Sequence, residues 1–326
     1  MPQTILVTGA AGFVGHHLLD LLIRSDPDSR IVGWRRRVTD DQARPPRPEP
    51  RSDRLVWRTL DLLDRDAVDH AVADTPPDQV YHCAGMANVG GSWSNNTTTL
   101  RVNVMGTEHL LAGLRTHASA ARVLIPGSAL VYRPSSAAID ESSPLGPVSP
   151  YGLSKLAQEM LARAAVEQDG LHVVITRSFT HIGPGQALSY AASSFAHQLA
   201  RIEAGLGPPV LSVGNLEARR DLTDVRDTVR AYQQLMARGE PGTPYNVCSG
   251  VAHPIQTVLD GLLSHATVDV TVQQDPARSR PSDNPLLLGD AGRLARQTGW
   301  RPTFGLERTL ADTLGYWRDA VTPANA

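Results

Sequence analysis

The chain opens on a short apolar run, Ile5-Leu6-Val7, set between threonines. A glycine-rich stretch follows, and then apolar positions at helical spacing from Val14 to Ile23. A β-branched run followed by a 3.6-residue period predicts a strand and then a helix. The same alternation recurs: IVGW, LVWRTLDL, QVYHCAG, RVLIPGS and HVVITRS read as strands. Asp64 to Ala73, Trp93 to Arg115 and Tyr151 to Gln168 read as helices. Such alternation predicts βαβ units on a parallel sheet, that is, an α/β fold of the Rossmann type with a doubly wound parallel sheet. The rhythm breaks near residue 178. From His181 onward, loops rich in Gly and Pro (HIGPGQ, GLGPPV, ARSRPSDNP) separate short helices. The predicted division is a dinucleotide-binding domain over residues 1–180, to which about 218–250 returns, and a smaller C-terminal α/β lobe over 181–326 for substrate. Val38 to Arg54, with four prolines and mixed charge, reads as an exposed loop.

Composition narrows the partners. With 41% hydrophobic and 20% charged residues the chain is ordinary globular protein, and a net charge of -2 gives no drive toward nucleic acid or an anionic membrane. A small molecule is the default partner. No run approaches the ~20 apolar residues of a membrane span, and no charged-then-apolar leader precedes Thr4, so a cytoplasmic protein is expected. Cys83 and Cys248 read as free buried thiols, and His16, His17, His82 and His181 show no metal-ligand spacing. Of 31 Lys plus Arg residues, Lys155 alone is lysine. Arg cannot stand in for a compact point charge on a flexible stem, which singles this position out.

TGAAGFVG places Gly9, Gly12 and Gly15 between the first strand and the first helix, with Phe13 and Val14 in the turn. Small residues there let backbone approach a pyrophosphate at the helix N-terminus. The spacing is one residue longer than the usual Rossmann fingerprint. The second strand ends in Trp34, Arg35, Arg36 and Arg37, where an NAD enzyme usually carries an acid. Guanidinium groups suit a 2′-phosphate, so NADP(H) is favoured at Arg35 and Arg36, with NAD(H) possible. Asp61 is a candidate acceptor for the adenine amino group, and Asp64 a candidate helix cap.

Tyr151 and Lys155 stand four apart at the start of a helix, on one face. A nearby ammonium is expected to lower the phenol toward a useful acid-base range, and the Lys stem can reach a nicotinamide ribose. Ser128, after the fifth strand, could hold the substrate oxygen that Tyr151 protonates. Asn103 is a candidate to hold sheet geometry or a water beside Lys155.

TGAAGFVG, Asp61-Leu62, NVMGT, SALVY, YGLSK and GPGQ together resemble the extended short-chain dehydrogenase/reductases that act on nucleotide sugars. VGGSW, THIGPGQ, VGNLEARRDLTDVRD, YNVCSG and RPSDNPLLLGD resemble the GDP-4-keto-6-deoxy-D-mannose reductases and GDP-mannose 4,6-dehydratases. The resemblance spans the whole chain. It implies catalysis by Ser128, Tyr151 and Lys155, and a cofactor site that also takes in Leu62, Ala84 and Gly85. It implies a GDP-sugar site with Ser92, Thr180, Asn215 for the nucleoside, Arg220 and Arg280 for the diphosphate and Asp283 for the ribose, and a homodimer. The chain departs from the pattern at Thr180, Gly85 and Arg133, where Asn, Ala and Gly are usual.

The function this implies is NADPH-dependent reduction of the 4-keto group of a nucleotide-linked 6-deoxy sugar, most simply GDP-4-keto-6-deoxy-D-mannose. In the related dehydratases a Glu follows two residues after the catalytic hydroxyl, whereas this chain reads Ser128, Ala129, Leu130. A nucleotide-sugar 4-epimerase, or another sugar-nucleotide oxidoreductase with tightly bound NAD, stays open. So does a non-catalytic dinucleotide sensor, which would have no use for the Tyr-Lys pair.

Overall fold

A computed structural model describes residues 2–37, 48–276 and 284–321. Seven strands form one parallel sheet: β1 (Thr4–Thr8), β2 (Arg30–Arg35), β3 (Leu55–Thr59), β4 (Gln79–His82), β5 (Arg122–Ser128), β6 (His172–Ser178) and, after a long excursion, β10 (Pro244–Val247). Their order across the sheet is β10-β6-β5-β4-β1-β2-β3, which reverses direction beside β1. In open α/β sheets ligands bind at such a switch point, beyond the carboxyl ends of the strands.

Period-2 alternation sends neighbouring side chains to opposite faces. Ile5 and Val7 join one buried layer with Leu18, Leu19, Tyr232, Leu235 and Trp300. Leu6 joins the other, with Val68, Val72, Leu110, Leu114 and Ala162. The helices on these faces are α1 (Phe13–Ser25), α2 (Arg65–Asp74), α5 (Gly106–His117), α6 (Pro150–Asp169) and α8 (Val225–Arg238). The short α3 (Val89–Ser92) and α4 (Asn96–Leu100) precede α5.

The single helix predicted over Trp93 to Arg115 is broken, and a five-residue π segment, Arg101–Met105, joins α4 to α5. Apolar periodicity cannot register one extra residue in a turn, so the sequence reads as continuous. The π turn carries Asn103, which is fully buried.

Beyond β6 lie β7 (Thr180–Ile182), α7 (Ala191–Glu203), β8 (Val210–Val213) and β9 (Arg219–Asp224). After β10 come β11 (Ala252–Pro254), α9 (Ile255–Leu263), β12 (Thr271–Gln274), β13 (Leu286–Leu287), α10 (Gly292–Thr298) and α11 (Leu306–Val321). β9 is the hub of a small sheet, pairing with β7, β11 and β13. A separate core of Phe195, Leu199, Leu211, Leu259, Leu314 and Trp317 holds α7, α9 and α11 together. Among the described residues no helix is long and apolar enough to cross a membrane, and none are grouped to hold a metal ion.

Candidate active site

At the carboxyl end of β1 the backbone turns with Gly9 at φ 63°, and a Cβ there would stand 2.6 Å from the amide nitrogen of Ala84. A Cβ at Gly15 would stand 2.3 Å from Gly9 O. Glycine at both positions is therefore a packing requirement. Gly12 is the extended N-cap of the 13-residue α1, with no side chain capping it and no acid in its first turn. Phe13 stacks on His181, ring centroids 5.9 Å apart. Uncapped N–H groups and the positive end of a helix behind a turn bare of Cβ atoms fit a dinucleotide pyrophosphate.

At the end of β2 the Arg35 guanidinium lies 5.0 Å from the Trp57 ring centroid and pairs with Glu49, while Arg36 is exposed. Asp61 is exposed, and its carboxylate accepts from Leu63 N at 3.0 Å. Leu62 lines the same corner, its carbonyl bonded to His109 Nδ1 at 2.8 Å. Asp64 caps α2 through Ala67 N at 3.0 Å.

Three features aim the start of α6. Ser149 Oγ accepts from Gly152 N at 3.1 Å, Pro150 occupies the first turn, and a Cβ on Gly152 would meet Leu130 O at 2.4 Å. This seats Tyr151 close enough to Ser128 for the serine hydroxyl to favour the ionised phenol. Both are buried, as is Lys155.

One expectation is corrected by this geometry. Burial drives the Tyr151 phenol well above its ordinary value of 10; Tyr190 and Tyr232 push the same way, and of the groups acting on it only Ser128 pulls it down. Lys155 is not among the groups acting on it; its ammonium donates to Pro126 O at 2.8 Å and Gln158 Oε1 at 2.7 Å. Burial lowers Lys155 to about 8. Burial thus favours the protonated phenol, the form a proton donor starts from, while making it a weaker acid than a free tyrosine.

Asn103 holds the loop after β4: its side-chain oxygen accepts from Met86 N at 2.8 Å, and its amide donates to Met86 O at 3.1 Å and Ser154 Oγ at 2.9 Å. A Cβ at Gly85 would crowd Asn103 Oδ1 at 2.9 Å, which gives a steric reason for glycine there.

The residues predicted to meet substrate are more scattered. Thr180 starts β7, half-buried. Ser92 is fully buried and donates to Val89 O at 2.7 Å. Asn215 Oδ1 accepts from Glu217 N at 2.9 Å. Arg220, on β9, donates to Arg219 O at 2.8 Å. Arg280 and Asp283 lie outside the described residues. The neighbouring acids Asp221, Asp224 and Asp227 are buried structural ligands. Asp221 accepts from Ser249 N at 2.7 Å and Gly250 N at 2.9 Å, and Asp227 from Thr303 N at 2.8 Å and Phe304 N at 2.9 Å.

Sequence reasoning misses three residues at the site. Gly152 belongs to a motif string but carries no steric signal there. Tyr190, at the N-cap of α7, donates from its hydroxyl to Ala87 O at 2.9 Å and lies close enough to raise Tyr151. Gln158 is one turn beyond Lys155, a spacing that could have flagged it.

The sheet order, the glycine turn and the Ser128-Tyr151-Lys155 cluster define an NAD(P)-dependent oxidoreductase of the extended short-chain type. The comparisons with known proteins agree. A family model described as GDP-mannose 4,6 dehydratase matches residues 6–313, and the chain belongs to that family. It is 33% identical over 324 residues to GDP-6-deoxy-D-mannose reductase of Pseudomonas aeruginosa, covering 98% of this chain and 99% of the relative. Among solved structures, RMD from Pseudomonas aeruginosa complexed with NADPH superposes with a TM-score of 0.82 at 32% identity, over 98% of this chain and 100% of that one. UDP-glucose 4-epimerase of Thermus thermophilus, complexed with NAD, gives a TM-score of 0.84 at 26% identity over the same shares of the two chains.

Proposed function

We propose that this protein reduces the 4-keto group of GDP-4-keto-6-deoxy-D-mannose at the expense of NADPH. The observation that carries the reading is the full-length similarity to a GDP-6-deoxy-D-mannose reductase, joined to a site with the buried Tyr151 phenol and no acid in Ser128-Ala129-Leu130. Making a keto sugar by 4,6-dehydration needs a further acid-base group to move the C5 proton and the C6 hydroxyl, and Ala129 and Leu130 cannot supply it.

NADPH, when bound, supplies the hydride. Gly9, Gly12 and Gly15 with the start of α1 would receive its pyrophosphate, Arg35 and Arg36 its 2′-phosphate, and Lys155 its nicotinamide ribose. Ser128 orients the substrate oxygen, and Tyr151 gives its proton to that oxygen as negative charge develops. A pre-oriented pair of hydroxyls needs little reorganisation at that moment. Thr180, Asn215 and Arg220, with Arg280 and Asp283, would take the GDP-sugar. Leu153 and Met160, seven apart on α6 and 51% and 63% exposed, support a homodimer joined through this helix. Light scattering that gives a monomer mass at micromolar protein would refute that part.

The deciding experiment supplies GDP-mannose and GDP-4-keto-6-deoxy-D-mannose separately and follows NADPH absorbance and product mass. Stoichiometric NADPH loss with the keto sugar alone is the expected result. Keto sugar formed from GDP-mannose would overturn it, and epimerisation without net NADPH use would assign the site to a 4-epimerase.

A further inference from the structure

The ammonium of Lys155 can only donate, and it has three hydrogens. Two go to Pro126 O and Gln158 Oε1. The Gln158 amide must therefore turn its oxygen to Lys155 and its nitrogen away, and Nε2 donates to Thr107 Oγ1 at 2.7 Å. Thr107 sends its own hydrogen one turn back, to Asn103 O at 2.7 Å. Its oxygen also faces His82 Nε2 at 2.9 Å, so that ring nitrogen carries the hydrogen. His82 Nδ1 is then an acceptor, receiving from Thr8 Oγ1 at 2.8 Å, and Thr8 Oγ1 accepts from Ala84 N at 3.2 Å. Gln158, Thr107, His82 and Thr8 are all buried. With donor-only groups at both ends, this arrangement of hydrogens gives each of these contacts one donor and one acceptor, and leaves one Lys155 N–H unassigned.

We propose that Gln158 is the positioning residue for Lys155: its amide, held from behind by Thr107 and His82, fixes the ammonium at Pro126 O and leaves one N–H for a bound ribose. The inference rests on the cofactor reading above. A neutral amide suits this task where a carboxylate would not. Glu at this position would pair with the ammonium directly, and it has no N–H for Thr107, which would have to swing its hydroxyl off Asn103.

The groups that face Lys155 leave Gln158 as its main polar anchor besides Pro126. Burial, reinforced by Lys155, lowers His82 to about 3, so the ring is neutral. Burial lifts the adjacent Cys83 thiol to about 12. Tyr151, one turn earlier on α6, is raised by burial, as is Tyr232 across the sheet.

Because Lys155 is the one lysine, ε-13C-lysine labelling gives a single side-chain methylene signal, and its titration can be read by NMR in the cofactor-free protein. Gln158→Glu should raise the midpoint by roughly one to three units, and Gln158→Leu should lower it, because the charged form loses an acceptor. Thr107→Val, which frees the amide to rotate, should shift the midpoint in the direction of Gln158→Leu by a smaller amount. NADPH affinity, followed by fluorescence, should fall about tenfold in Gln158→Leu and by less in Gln158→Asn, which keeps an amide. A merely structural glutamine would lower Tm and leave the midpoint alone. Midpoints in Gln158→Glu and Thr107→Val within a few tenths of wild type would overturn the proposal. The titration uses neither substrate nor cofactor, so its outcome stands apart from whether the sugar is correctly assigned.

Discussion

Gly152 approaches Leu130 so closely that a Cβ on the first would stand 2.4 Å from the carbonyl oxygen of the second. The contact draws the first turn of α6 onto the turn that carries Ser128, and so brings the phenol to the serine hydroxyl. Gly152→Ala should force the two apart. Misplacing a catalytic group by about 1 Å can cost about 10²-fold. A kcat lower by about that factor, with NADPH affinity nearly unchanged, is expected from steady-state kinetics and cofactor titration.

Tyr151→Phe removes the proposed proton donor and keeps the shape of the site. A positioned acid contributes about 10²- to 10⁴-fold, so kcat should fall within that range while NADPH binding persists. Lys155→Arg should damage both, because a planar fork cannot occupy the position of an ammonium between Pro126 O and Gln158 Oε1. Near-normal turnover by Tyr151→Phe across the pH range would contradict the assigned role.

Arg35 sits over Trp57 and is paired with the exposed Glu49, an arrangement in which a phosphate can take the place of the carboxylate. NADPH should bind more tightly than NADH, and Arg35→Glu or Arg36→Glu should narrow the difference. The preference should also weaken as salt is raised. Equal affinities for the wild type at low ionic strength would count against the guanidinium argument.

A buried ion pair gives a stability prediction. Arg177 donates to both carboxylate oxygens of Glu159, at 2.9 and 2.7 Å, and both residues are 2% exposed. Burial opposes ionisation of Glu159, but the Arg177 hydrogen bonds and charge, with Arg163, more than offset it and hold the carboxyl below its ordinary 4.5. A depressed folded value stabilises above the unfolded value and is lost as pH falls through the folded one. Tm should therefore drop below about pH 4.5. Glu159→Gln leaves a buried guanidinium uncompensated and should cost about 3–5 kcal/mol at neutral pH, by denaturant melts, with a flatter acid limb.

Much of this is legible in the sequence, because strand and helix periods and a glycine turn are local signals. Thr4–Thr8, Phe13–Ser25 and the helix bearing Tyr151 and Lys155 are stated by their own residues. What escapes depends on contacts between distant segments. The π turn at Asn103 is indistinguishable from helix by periodicity. The Lys155-Gln158-Thr107-His82 chain joins α6, α5 and β4, and Asp221 and Asp227 of RRDLTDVRD are consumed by amides that lie far along the chain. The direction of the Tyr151 shift is equally hidden, because spacing puts two residues on one face but says nothing of which neighbour captures the ammonium.

The late return of the chain to β10 has a practical outcome. Pro244–Val247 pairs with β6, and Trp300, from after α10, donates to Asp227 O at 3.0 Å in α8. A polypeptide cut after Ser178, however natural the boundary looks on paper, would leave the apolar β6 as a bare, sticky edge inviting strand-to-strand polymerisation. Domain-swapping or chimera strategies on this scaffold should therefore carry residues 225–300 along with the first 178.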